Sequence, residues 1–177
     1  MYELKEDKFY QEYNKYLDSV IDYCIITVNS PYNKELHQKV VLFAFDIFNQ
    51  RYEMDYKFNK ELMQSKEITK EELFNDNYYK LFLNPPFGTP FRRISKRYEG
   101  TDYEEEIIEN KPYTIKDFNY LNDLLFPISK DNLIIYEWNT SWSNYFEDGL
   151  EWWGARCISI YDKSCDRFIV IAASITD

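Results

Sequence analysis

Three strand-like runs near the C-terminus, "NLIIYEW" (132–138), "ARCISIYD" (155–162) and "RFIVIAAS" (167–174), set the strongest limit on what this chain can fold into. Each is rich in β-branched and aromatic residues, the types that suit a pleated, half-buried surface. The four residues "KSCD" between the last two make a hairpin loop. The final run is apolar on both faces, so it belongs at the centre of a sheet, covered by helices.

Upstream the spacing becomes helical. Residues 3–22 fit one amphipathic helix, with Leu4, Phe9, Tyr13, Tyr16, Leu17, Val20 and Ile21 at intervals of three and four. "CIITVN" then reads as extended, or as a continuation of that helix. Pro31 pushes Ser30 out of helical geometry and marks a turn. From Lys34 to Tyr52 a second stripe is formed by Leu36, Val40, Phe43, Ala44, Ile47 and Phe48. Thr69 and Glu72 have the spacing of a capping box, so a short helix starts there. Thr114 and Asp117 mark another start, leading to "FNYLNDLLF" and a stop at Pro127.

Between these, "YYKLFLNPPFGTPFRRIS" reads as an extended run ending in a proline-rich loop. Residues 99–110, "EGTDYEEEIIEN", hold six acids and no base, directly after Arg92, Arg93, Lys96 and Arg97. This region reads as a surface loop or an exposed helix, its acids largely neutralising the basic cluster. Helices first and strands after give an α+β class, with N-terminal helices packed on a C-terminal antiparallel β-sheet. The 177 residues suit a single domain over 1–177.

Composition narrows the function classes. The formal net charge of −10 disfavours general nucleic-acid binding, which needs clustered Lys and Arg, and disfavours docking on an anionic membrane. It favours solubility and fast encounter with a basic partner. The start, "MYELKEDKFYQEYNKYLDS", has neither the basic nor the apolar region of a signal peptide, and no apolar run approaches a membrane span. Cys24, Cys157 and Cys165 are odd in number and lack metal-like spacing. They read as reduced thiols of a cytoplasmic protein.

Asn84-Pro85-Pro86-Phe87 matches the tetrapeptide with which adenine methyltransferases hold their target base. That chemistry also needs a glycine-bearing turn after a strand for S-adenosylmethionine, and none of the four glycines lies in such a setting. Pro-Pro after Asn is a common way to end a strand, and the motif reads as that. His37 is the one histidine, so a Ser-His or Cys-His nucleophile pair, and most zinc sites, would have to use it. It lies on a predicted helix and reads as an ordinary helix residue. The acids of 102–109 lack the spacing of a calcium loop and read as a solvated face. No catalytic residue, cofactor or metal is therefore assigned.

The densest feature is "YEWNTSWSNYFEDGLEWWGARC", residues 136–157, which holds all four tryptophans. It lies between two predicted strands, where a sheet presents a loop. Its rings either close one end of the core or form a surface patch. As a patch, Trp142, Tyr145, Glu147, Asp148, Glu151 and Trp152 would bind a partner, the rings as anchors and the acids steering a basic surface. Alternatively the rings stack a glycan or nucleotide and two carboxylates act as acid and base, provided they lie about 5–9.5 Å apart with unequal pKa values.

"NTSWSNYFEDGLEWWGARCISIYDK" with the ending "RFIVIAASITD" resembles the C-terminal part of uncharacterised bacterial proteins, some of them similar to small acidic immunity proteins that neutralise secreted toxins. The resemblance covers only that part of the chain and implies no catalytic residues. It implies a cytoplasmic, immunity-type inhibitor whose partner is a basic toxin. A carboxylate-dependent enzyme is the alternative.

Overall fold

The C-terminal hairpin, residues 155–174, anchors the architecture. In a computed structural model, which describes residues 1–14, 21–75, 91–97, 104–110, 115–150 and 155–174, the main sheet has six antiparallel strands. They are β1 (Tyr2–Glu3), β2 (Ile21–Thr27), β3 (Ser65–Ile68), β6 (Leu133–Trp138), β7 (Ala155–Asp162) and β8 (Arg167–Ser174), in the order β1-β2-β8-β7-β6-β3. A separate two-stranded ribbon joins β4 (Phe91–Arg97) and β5 (Glu104–Asn110). The helices are α1 (Lys8–Tyr13), α2 (Leu36–Tyr52), α3 (Lys70–Asn75), α4 (Ile115–Leu125) and the single turn α5 (Glu147–Leu150).

The three C-terminal strands form where the sequence places them, and β8 is central, between β2 and β7. Ala155 faces Ser174 and Asp162 faces Arg167 across the hairpin, whose turn closes with Asp166 in the left-handed region at φ 48°. Asp162 Oδ1 accepts from the Ser164 N–H at 2.8 Å within that turn. Alternation along β8 splits its side chains between two cores. Ile169, Ile171 and Ala173 join Phe9 of α1, Leu73 of α3, and Phe118, Leu121 and Leu125 of α4 on one face. Phe168, Val170 and Ala172 meet Val40, Val41, Ala44, Phe45 and Phe48 of α2 on the other. The sheet is thus covered by helices on both sides, and the α+β class holds.

The order of elements differs from the expected sequence of helices followed by sheet. Residues 3–22 are not one helix: Glu3 belongs to β1, α1 spans Lys8–Tyr13, and Ile21 opens β2. The reason is tertiary. β8 has two edges to pair, and "IDYCIIT" supplies apolar residues to both cores, Ile21, Tyr23 and Ile25 to one, Cys24 and Ile26 to the other. α1 is ended by this demand and begun by Asp7, whose Oδ1 accepts from the Phe9 N–H at 2.9 Å. The expected helix through Tyr52 forms as α2, ending on Glu53 at φ 53° because no glycine stands there. The Thr69–Glu72 box is reciprocal: Glu72 Oε2 accepts from the Thr69 N–H at 2.7 Å and Thr69 Oγ1 from the Glu72 N–H at 3.1 Å.

The acidic stretch is also corrected. Residues 104–110 are strand rather than loop or helix, in register with β4 so that Arg92 faces Glu109, Lys96 faces Glu105, Arg97 faces Glu104, and Ile94 faces Ile107. Opposite charges placed across a ladder make a run of acids compatible with a strand. The tetrapeptide Asn84–Phe87 lies outside the described residues.

Candidate functional site

The tryptophan-rich stretch begins where β6 ends. Asn139 holds the turn by accepting from the Gln64 N–H at 2.8 Å and donating to the Leu62 carbonyl at 2.9 Å. Trp142 Nε1–H donates to the Asn139 carbonyl at 2.6 Å, and Ser143 caps a 3₁₀ turn over Asn144–Phe146. The rings then turn inward. Phe45 of α2 lies 4.7 Å from Trp142, 5.0 Å from Tyr145 and 5.5 Å from Phe146, mostly edge to face. Trp142 is 1% exposed and Tyr145 8%.

Trp142 and Tyr145 are therefore core residues and not surface anchors. Phe45 and Phe48 of α2 share one buried cluster with Trp142, Tyr145 and Phe146, whose rings remove them from water. Glu147 of the same stretch is exposed. The side chain of Asp148, and Glu151 and Trp152 altogether, lie outside what is described.

His37 and Ser159 meet across α2 and β7, with Nδ1 2.9 Å from Oγ. The pair is sealed: His37 is 1% exposed, between the rings of Tyr136 at 4.5 Å and Phe168 at 5.2 Å, and Ser159 is fully buried. Ser159 Oγ also accepts from Trp138 Nε1–H at 2.8 Å. Burial, with the nearby Lys34 ammonium, lowers His37 to about 4, so the imidazole is neutral. A Ser-His contact that no substrate can reach is a satisfied polar knot in the core.

A groove of about 1040 Å³ lies elsewhere, between β1–β2 and the C-terminal half of α2. Three carboxylates line it, Glu3, Asp22 and the exposed Asp46. Glu3 Oε1 accepts from Arg51 Nη2 at 2.7 Å and from the Tyr10 hydroxyl at 3.0 Å, and its charge is thereby matched. Asp22 has no ion pair among the described residues: Oδ1 accepts from the Tyr52 hydroxyl and Oδ2 from the Tyr145 hydroxyl at 2.7 Å. Burial pushes the Asp22 carboxyl above its ordinary range, against those two hydrogen bonds and the more distant Arg51 charge. Tyr52 in turn is pushed up to about 12 by burial and by the Asp22 charge. Tyr145 thus links the tryptophan-rich stretch to the groove through Asp22.

Sequence reasoning missed Asp22. Its one signal was a lone carboxylate inside the otherwise strand-forming run "IDYCIIT". The carboxylate pair expected beside the aromatic loop is not assembled from described side chains there, and Glu147 is the acid of that loop whose exposure is known.

Among the described residues, no group of three His, Cys, Asp or Glu side chains is placed to hold a metal ion, and no helix is long and apolar enough to cross a membrane. Cys24, Cys157 and Cys165 are free thiols, the first two buried. Comparison with protein families, with curated proteins and with solved structures finds no match to this chain.

Proposed function

We propose that the chain is an acidic protein-binding domain of the immunity type, which holds and neutralises a basic bacterial toxin in the cytoplasm. The observation that supports this reading is the partition of the described part of the tryptophan-rich stretch, where Trp142, Tyr145 and Phe146 pack inward while Glu147 faces solvent. The turn beneath Glu147 is tied down on both sides. Asn144 Oδ1 accepts from the Lys57 N–H at 2.7 Å, and the Gly149 N–H donates to Ser174 Oγ at 3.1 Å. Acids on a preorganised turn meet a basic surface with little ordering entropy to lose. The net charge of −10 adds long-range steering. The proposed patch is Glu147, Asp148, Glu151 and Trp152, of which Glu147 is described as exposed, while Trp142 and Tyr145 belong to the core.

Affinity capture from the native host, followed by a salt titration and by charge reversal at Glu147 and Asp148, tests the reading. The expected result is a stoichiometric basic partner released by salt and weakened at least about tenfold by Glu147→Lys with Asp148→Lys. A partner whose affinity ignores both substitutions removes the patch, and the absence of any stoichiometric partner removes the function.

A further inference from the structure

Asp22 is a carboxylate whose surroundings are incomplete. Both its oxygens accept from tyrosine hydroxyls, and Arg51, whose charge reaches Asp22, is turned to Glu3 and to the Tyr23 carbonyl at 3.3 Å. An ionised carboxyl in a partly desolvated place gains most from a cation brought to it. Asp22 borders the groove, so such a cation can arrive from outside. Asp46, exposed on the α2 wall, adds a negative charge beyond the Glu3–Arg51 pair, and Lys5 lines the same groove. The walls between them carry Tyr13, Phe43 and Ile47, surfaces suited to an alkyl stem or to the face of a cation. The Arg51 guanidinium already uses this mode, 5.5 Å from the Phe48 ring centroid and 5.9 Å from that of Tyr52.

An anionic ligand fits poorly here. Its charge would face Asp22 and Asp46, and Arg51 Nη1 and Nη2 already donate to the Tyr23 carbonyl and to Glu3. The volume, about 1040 Å³, is ample for an amine on a carbon chain.

We propose that this groove is a binding site for an organic cation, an ammonium or guanidinium group on an apolar stem, seated against Asp22. The cation belongs either to a free amine or to a Lys or Arg side chain of a protein. The site is separate from Glu147 and does not depend on the proposed toxin interface.

Titration calorimetry with agmatine and with a short lysine-rich peptide, on the full chain, tests it. The expected result is saturable binding, weakened at least about tenfold by Asp22→Asn, which keeps the shape and the tyrosine partners, and unchanged by Glu147→Lys. Agmatine binding as tightly as the peptide identifies a small amine as the occupant. A peptide that binds more tightly, still through Asp22, identifies a protein side chain. In case Asp22→Asn fails to fold, amide chemical shifts of the wild-type protein locate the site: agmatine should move Asp22, Tyr23, Arg51 and Tyr52 and leave Glu147 in place. No saturable binding of either probe, equal affinity in a folded Asp22→Asn protein, or shifts confined to other residues would overturn the proposal.

Discussion

Asp7 and Arg167 form an ion pair of 2.6 Å between the start of α1 and the first residue of β8, with both side chains largely buried. The same aspartate caps α1, and the same guanidinium donates to the Leu125 carbonyl at the end of α4 at 2.7 Å. One pair of side chains thus ties two helices to the central strand. Removing one partner leaves the other charge buried and uncompensated, a loss of roughly 3–5 kcal/mol. Asp7→Ala should lower unfolding stability by that order in urea titrations, and Asp7→Asn by less, since the cap survives. A loss under about 1 kcal/mol for Asp7→Ala would show that the pair is not a joint.

His37 predicts a pH dependence. Its folded-state pKa, about 4, lies below the ordinary 6.5, so the unfolded chain takes up a proton first as pH falls. The contribution of His37 is complete above pH 6.5 and is lost progressively down to pH 4, amounting to about 3 kcal/mol. Asp22, with its carboxyl raised, acts in the opposite sense, favouring the fold at low pH and losing that contribution as pH rises through its folded pKa. The difference between wild type and His37→Gln isolates the histidine. As the chain has one histidine, its ring resonance can also be titrated directly, and a midpoint near 6.5 would refute the assignment.

Ser159 receives Trp138 and contacts His37 in a fully buried place. Ser159→Ala leaves both ring nitrogens short of a partner, and about 1–3 kcal/mol of stability should be lost. Chemical denaturation measures it. A neutral Ser159→Ala would mean that the knot is not a stabilising one.

Trp142 and Glu147 separate core from surface within five residues of one another in sequence. Trp142→Ala should cost about 3–5 kcal/mol through the cavity left beside Phe45. Glu147→Lys should change stability by less than about 0.5 kcal/mol, while weakening a basic partner if the proposed patch is correct. Thermal and denaturant unfolding of the two variants decide the first half of this statement independently of any partner.

Glu53 ends α2 in the left-handed region, at φ 53°, with its side chain exposed. Glycine reaches that conformation without the steric penalty of a Cβ. Glu53→Gly should therefore raise the unfolding midpoint, with a gain of up to about 1 kcal/mol, and a lower midpoint would show that the carboxylate has a role of its own.

What could be read from the sequence alone is what is encoded locally. The bounds of β7 and β8 and the four-residue turn between them follow from runs rich in β-branched and aromatic residues, and the central place of β8 from its being apolar on both faces. The α2 stripe and the Thr69–Glu72 cap follow from spacing within one or two turns. What the tertiary structure decided is everything that depends on a partner far along the chain. β2 is a strand because β8 has a free edge, the acids of β5 are tolerated because bases stand opposite, and Trp142 is core because Phe45 needs a cover. Asp22 meets Tyr145 across 123 positions of sequence. No local propensity carries such a meeting; it arises only when two helical layers close on one sheet and bring a carboxylate and a hydroxyl to the same groove.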